Sequence, residues 1–572
     1  MKHLPRILLF VPILLFLTIL FYLPLSSQSR FDKLCDRFFQ EEMKSNSLTL
    51  HYTLENPEDY GIFPEKITLG GYDLNGSEQK FRLSNNLFHL QTISKSALDE
   101  TSQFTYDLLQ YTLKTELKGL DYLLLKEPLV PSVGIQSQLP ILLAEYAFYK
   151  EEDVIDYLQL LSCVPSYFDS LLLLEEEKWK QGLFMDQESA EELITYCQQF
   201  LFDEDTHFLA ETFQERLDSL NLPSEQTQTY ENEHEKLLET CIFPTYEKLE
   251  LFLTEHLHDG ENEHGLYYYP NGTDYYQWLI RSEIGCDRTF SEIETLLETA
   301  LKQEASVIAS LVKDQPELLE QRKSILLDTS NPAGLTSYLA QRSSLDFPEI
   351  PNVSVEICSV PSSMEPHLSP AFYLVPAIDR YDENVVYLNN GYLKEGISFF
   401  TTLAHESYPG HLYQNVFENS RQLHPIHRLL YFGGYSEGWA TYAEQLSYFY
   451  APISKDLAQL LASTRAMTLN LYSHLDLYIH AYGWTEEQCS DYLKKFGITA
   501  AASIHDLYQL VKQQPANYLK YYLGYLELCQ LRKQAEESLG ENFDLKHFHT
   551  LILTYGPAPF PILNNYFAEN LS

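Results

Sequence analysis

Thr402-Leu403-Ala404-His405-Glu406-Ser407-Tyr408-Pro409-Gly410-His411-Leu412-Tyr413-Gln414 reads as a helix that cannot run straight through. Two histidines four apart on a helix, as in H-E-x-x-H, sit about 40° from each other and can share one metal. Here they are six residues apart, and an ideal helix would leave them about 120° apart. Pro409 has no N–H to give to the carbonyl of His405, so the helix must bulge or break there. Gly410 admits the unusual backbone angles needed to take up the extra residues. The expected result is His411 turned to the face of His405, with Glu406 beside a shared ion.

A second segment reads Gly433-Gly434-Tyr435-Ser436-Glu437-Gly438-Trp439-Ala440-Thr441-Tyr442-Ala443-Glu444. Glu437 lies 26 residues past His411 (437 − 411), room for a loop and the start of another helix. His405, His411 and Glu437 then form the two-His, one-Glu set of a catalytic zinc site with an open fourth position. Glu444 falls on the same helix face as Glu437 and is suited to hold a ligand imidazole by its other nitrogen. A His-Glu pair alone carries little, since His234-Glu235 is another. The two segments together carry the assignment.

Outward from this centre, strand-like segments precede the metal helix directly. Val353–Val360, Phe372–Val375 and Asn384–Asn389 are rich in β-branched and aromatic residues and are bounded by Pro, Asp or Asn. Elsewhere helical periodicity dominates, as in Ala97–Leu117, Phe243–Leu257, Phe290–Leu311, Leu457–Tyr482 and Tyr518–Leu539. No 20–50-residue period recurs, which excludes a solenoid. The reading is a mainly α protein with a small β-sheet beside the metal site. Residues 29–345 are expected to form a helical lobe, and 346–572 the metal-binding catalytic lobe.

Residues 1–28 are expected to be a membrane anchor or signal sequence. Lys2 and Arg6 precede an apolar run from Ile7 to Leu25. That run is longer than the usual signal core of about 7–15 residues and close to the roughly 20 a spanning helix needs. The basic residues keep the N-terminus cytoplasmic and put the rest outside the cytoplasm. Cleavage near Ser27-Gln28-Ser29 would make the protein secreted instead. The net charge of −42 excludes nucleic acid as a partner. The eight cysteines include no CxxC pair, so a cysteine zinc site is not expected. Cys35 lacks the small residues of a lipid-attachment motif before it. No G-x-S-x-G or Cys–His signature supports serine or cysteine hydrolase chemistry.

The chain resembles the bacterial domain-of-unknown-function 885 family. The family's H-E-x-x-P-G-H-x-x-Q is matched by His405 to Gln414, and its E-G-W-x-x-Y-x-E by Glu437 to Glu444. Supporting matches are Leu50-His51-Tyr52-Thr53, Asn56-Pro57, Tyr60-Gly61-Ile62, Asp476 to His480 before Gly483-Trp484, and Tyr521-Tyr522-Leu523-Gly524 before Leu531-Arg532. The likeness covers nearly all of the chain after the anchor. The family looks like a distant relative of helical gluzincins such as carboxypeptidase Taq and angiotensin-converting enzyme. That resemblance implies a large helical, gluzincin-like fold around a deep cleft, with the third ligand, a Glu, on a second helix.

The expected function is zinc-dependent hydrolysis of peptide bonds, with Zn2+ as cofactor and Glu406 as general base. Tyr521 is the first choice for an oxyanion donor, as related enzymes use a Tyr or His from a later helix. His480 is the second choice, with Asp476 one turn before it to orient its ring. Arg532 is a candidate for a substrate carboxylate, against the plainer reading of a helix-surface salt bridge. The strand Val385–Asn389 is expected to offer a backbone edge to an extended peptide. Two alternatives stay open: a hydrolase of a non-peptide amide, and an inactive membrane-tethered binding protein.

Overall fold

The computed structural model describes residues 26–571, apart from 203–206, 326, 361–364, 366, 367 and 395. The apolar run Ile7–Leu25 and its expected role as an anchor lie outside these residues. Helix accounts for 69% of the structure and strand for 3%, which is the mainly α class that the periodicities predict.

Helix α1 (Ser27–Ser45) starts at Ser26, whose hydroxyl accepts the N–H of Ser29, a side-chain cap for one of the unpaired first-turn donors. It buries Phe31, Leu34, Cys35, Phe38 and Phe39, the i, i+3, i+4, i+7, i+8 stripe of a helix with one wet face. Helix α2 (Glu151–Lys180) is, among the described residues, the one helix long and apolar enough to cross a bilayer, yet half of its apolar window is buried inside the fold. Its Lys178 is 2% exposed and bonds to Glu127 and to Glu175, the latter at 3.0 Å. It is packed as a core helix. Helix α3 (Phe290–Asp314) opens with a Thr289–Glu292 capping box.

The sheet holds β1 (Ser354–Ser359), β2 (Ala371–Leu374) and β3 (Glu383–Leu388) in the order β1-β3-β2. β3 runs parallel to β1 and antiparallel to β2. This corrects one expectation: the strand around Val385 is the centre of the sheet, and β1 and β2 are its two edges. Asn384, Val386 and Leu388 of β3 are buried on one face while Val385 and Tyr387 are half-covered on the other. A strand covered on both faces takes the middle position, and its backbone groups are spent on its neighbours.

Among the helices that follow, those that build the site are α4 (Ile397–Glu406), α5 (His411–Ser420), α6 (Gly433–Ser447), α7 (Lys455–Tyr482) and α8 (Asn517–Leu539). α6 and α8 touch backbone to backbone. A Cβ on Gly524 would stand 1.9 Å from the carbonyl oxygen of Gly434, and one on Gly438 would stand 2.5 Å from the carbonyl carbon of Gly524. The largest buried apolar cluster draws on both sides of residue 345, from Phe31 to Phe567. A second cluster spans Leu48 to Leu253 and includes Val360. All eight cysteines are free.

Candidate metal centre

The helix carrying His405 ends one residue later, at Glu406. Ser407 closes it, donating from N–H and hydroxyl to the carbonyl of Leu403 at 2.9 and 2.6 Å. Ser407 to Gly410 form the break, and His411 is the first residue of α5. Gly410 keeps a negative φ of −80°; what the position demands is space. A Cβ there would lie 1.8 Å from the carbonyl oxygen of His405. The Gly410 N–H donates to the carbonyl of Ala404 at 3.1 Å. The carbonyl of Pro409 accepts the indole N–H of Trp439 from α6 at 2.9 Å. So the break is bonded at both ends and tied to the helix that bears Glu437.

This geometry turns the two imidazoles toward each other, with ring centroids 4.9 Å apart and planes at 82°. Oε2 of Glu437 lies 3.6 Å from Nε2 of His405 and 3.4 Å from Nε2 of His411. Neighbouring ligands of a tetrahedral zinc, with bonds of about 2.0–2.2 Å, are about 3.3–3.5 Å apart. Two nitrogens and one carboxylate oxygen within 4.8 Å of one another fit a divalent ion in both chemistry and spacing. Burial pushes the Glu437 carboxyl up, but the two imidazoles and the charge of Lys520 outweigh it and hold it well below the usual range.

Glu444 stands behind His405, with Oε2 3.5 Å from Nδ1. Its other oxygen accepts from Nε of Arg465 at 2.7 Å. Burial raises its carboxyl, and Arg465 together with His405 brings it down to about 2. Glu406 is held from the sheet. Its Oε2 accepts the backbone N–H of Tyr373 at 3.0 Å. Burial raises its carboxyl, His405 and His411 pull it back, and Glu437 pushes it up again, for a net rise. The Tyr521 ring on α8 is 6.4 Å from the ring of His405. Its hydroxyl is pushed well up by burial and by the charges of Glu437 and Glu406.

The site opens on a cleft of about 1120 Å³. Tyr52, Gln138, Glu145, Phe372, Arg465 and Lys520 are among the residues that line it. β2 borders it with its free edge. The Asn389 N–H donates to the carbonyl of Pro370 at 2.9 Å. In an antiparallel ladder residues 372 and 374 then also face β3, while 371 and 373 turn their backbone groups away from it. Tyr373 is further fixed by its hydroxyl, which donates to Asn384 at 2.6 Å and accepts from Asn415 at 2.9 Å. Neither Tyr373 nor Arg465 stands in the two metal motifs, and no local spacing points to either.

Three expected residues lie elsewhere. His480 is buried in the core, where Nδ1 accepts the N–H of Leu266 at 3.2 Å and Nε2 faces the carbonyl of Val511 at 3.1 Å. Both of its nitrogens are used, so it cannot serve the cleft. Asp476 does not orient that ring. It accepts from the Tyr276 hydroxyl at 2.7 Å and from the N–H groups of Ala516 and Leu519 at 2.9 and 3.1 Å, and so caps the start of α8. Arg532 lies on a separate cavity with Tyr442 and Glu536. It bonds to Glu536 at 2.9 Å and to the Tyr442 hydroxyl at 3.0 Å, which is the helix-surface salt bridge with one added contact.

Comparison with known proteins locates the fold. The chain is similar in structure to a protein described as "the putative lipoprotein from Colwellia psychrerythraea", over 96% of this chain and 100% of that one, with a TM-score of 0.82 and 20% identity. It is also similar to "a putative lipoprotein of unknown function from Shewanella oneidensis", over 94% of this chain and 99% of that one, with a TM-score of 0.62 and 15% identity. At such identities the likeness is one of fold alone. No curated protein matches the chain. The family described as "Bacterial protein of unknown function (DUF885)" matches residues 75–566, and by that match the chain belongs to it.

Proposed function

We propose that the protein is a zinc-dependent peptidase of the gluzincin kind, with His405, His411 and Glu437 as metal ligands. The observation that carries this reading is the convergence of both Nε2 atoms on one oxygen of Glu437, with Glu406 next to it in an open cleft. Zinc held there would supply Lewis-acid polarisation of a carbonyl and a water acidified to about pKa 7.

The chain's own groups supply the rest. Glu406 takes a proton from the attacking water and passes it to the leaving amine nitrogen as the C–N bond breaks. The Tyr373 N–H keeps the Glu406 carboxylate aimed while it does so. The Tyr521 hydroxyl donates to the oxygen on which negative charge develops. The outward backbone groups of β2 that Glu406 leaves unused, both groups of Ala371 and the carbonyl of Tyr373, bind an extended peptide beside the strand, which grips the backbone and reads little sequence. The apolar run from Ile7 to Leu25 supports an outward-facing, membrane-anchored address.

The test is metal content and peptide hydrolysis of the purified chain. Wild type is expected to carry about one zinc per chain, Glu437→Ala none, and Glu406→Gln zinc but no turnover on a peptide panel. A wild type that neither carries zinc nor takes it up would end the metal reading. Zinc without turnover on any peptide would move a non-peptide amide or a binding role to the front.

A further inference from the structure

The mechanism leaves Arg465 of α7, a charged residue on the cleft wall, without a role. Its guanidinium grips Glu444 by both oxygens, from Nε to Oε1 at 2.7 Å and from Nη2 to Oε2 at 3.4 Å. Glu444 is 5% exposed, and its Oε2 is the oxygen that faces Nδ1 of His405. Three side chains from three helices therefore stand in a row behind the metal site: Arg465 on α7, Glu444 on α6 and His405 on α4.

Each link has a physical task. The imidazole of His405 can place its proton on either nitrogen, and only with the proton on Nδ1 does Nε2 keep a lone pair for a metal. A carboxylate at Nδ1 selects that form. A buried carboxylate, however, is costly unless it is paired, and a glutamate side chain can swing its oxygens away. A two-pronged guanidinium supplies the compensating charge and fixes the carboxylate plane; the point charge of a lysine supplies only the first.

We propose that Arg465 is a positioning residue: acting through Glu444, it holds His405 in the orientation and tautomer that turn Nε2 toward Glu437. The proposal rests on the metal reading above and adds a residue from outside both metal motifs.

The experiment is zinc affinity by chelator competition on the full chain. It compares wild type, Arg465→Ala, Arg465→Lys, Glu444→Gln and the Arg465→Ala/Glu444→Gln double variant. Arg465→Ala is expected to weaken zinc binding about 10- to 100-fold, and Arg465→Lys to restore only part of the loss. In the Glu444→Gln background the same Arg465→Ala change is expected to add no more than about twofold, since its effect runs through the missing carboxylate. Circular dichroism checks that each variant is folded; if Arg465→Ala is not, Arg465→Gln takes its place with the same thresholds. Zinc affinity within about twofold of wild type in Arg465→Ala, or an equal loss with and without Glu444, overturns the proposal. A wild type that binds no zinc brings down the metal reading itself, an outcome distinct from a weakened variant.

Discussion

The indole N–H of Trp439 donates to the carbonyl of Pro409 at 2.9 Å, and this bond joins the break between the two histidines to the helix that carries Glu437. Trp439 is buried and stands edge-on to Phe347, with ring centroids 5.7 Å apart. Trp439→Phe keeps much of the ring and removes the donor. The orphaned carbonyl is expected to cost about 1–3 kcal/mol, read as a lower urea midpoint, with weaker zinc binding alongside. An unchanged midpoint and affinity would mean that the break holds itself in place without α6.

The contact between Gly434 and Gly524 makes a second prediction. Gly524→Ala puts a methyl group where the carbonyl oxygen of Gly434 stands, 1.9 Å away, so α6 and α8 must part. Since Glu437 and Tyr521 sit beside this contact, the expected result is loss of zinc per chain together with about 1–3 kcal/mol of stability. Metal analysis and thermal unfolding of the same preparation read both. Full zinc loading in Gly524→Ala would show that the backbone contact does not set the position of Glu437.

Tyr521→Phe separates a donor from a wall. The variant keeps the ring beside His405 and loses only the hydroxyl. If that hydroxyl stabilises the developing oxyanion, kcat on a cleaved peptide is expected to fall about 10²-fold or more, with KM little changed. A kcat near that of wild type would leave Tyr521 as lining.

Acid stability follows from the buried histidines. Burial lowers His474 and His480 to about 4, and His234 and His549 to about 3, from an ordinary 6.5. In each case the folded value lies below the unfolded one. As pH falls the unfolded chain takes up protons first, so stability is fully present above about pH 7 and drains between about 6.5 and the folded values. For His480 roughly 1 kcal/mol is gone by about pH 5.5 and about 3 kcal/mol by about pH 4. Urea midpoints of wild type at neutral and acid pH are expected to differ, and the difference is expected to shrink in His480→Gln. Equal pH dependence in the two proteins would mean that His480 is not buried as a neutral ring.

Much of the fold was legible because apolar periodicity is a local property. The helix expected over Phe290–Leu311 is Phe290–Asp314, and Tyr518–Leu539 is Asn517–Leu539. The three strands fall within one residue of their expected ends. The order of those strands was not legible. Both β2 and β3 read as short apolar runs, and only the packing on their faces decided that β3 is central and β2 free to meet the cleft.

The same division holds at the site. The sequence by itself determined that a helix must stop near Pro409 and that His405, Glu406 and His411 flank the break, because a missing N–H and a six-residue spacing act within about two turns of chain. It also set Glu437 and Glu444 on one face of the next helix, because seven residues make about two turns. Only the tertiary structure decided which residues meet across helices. It sent His480 and Asp476 into the core and to the start of α8, left Arg532 on its own cavity, and brought Tyr373 to Glu406 and Arg465 to Glu444. Spacing fixes direction around one helix axis. How one axis is turned against another depends on the close packing of whole faces, and two glycines touching across α6 and α8 set that angle here in a way no single stretch of sequence contains.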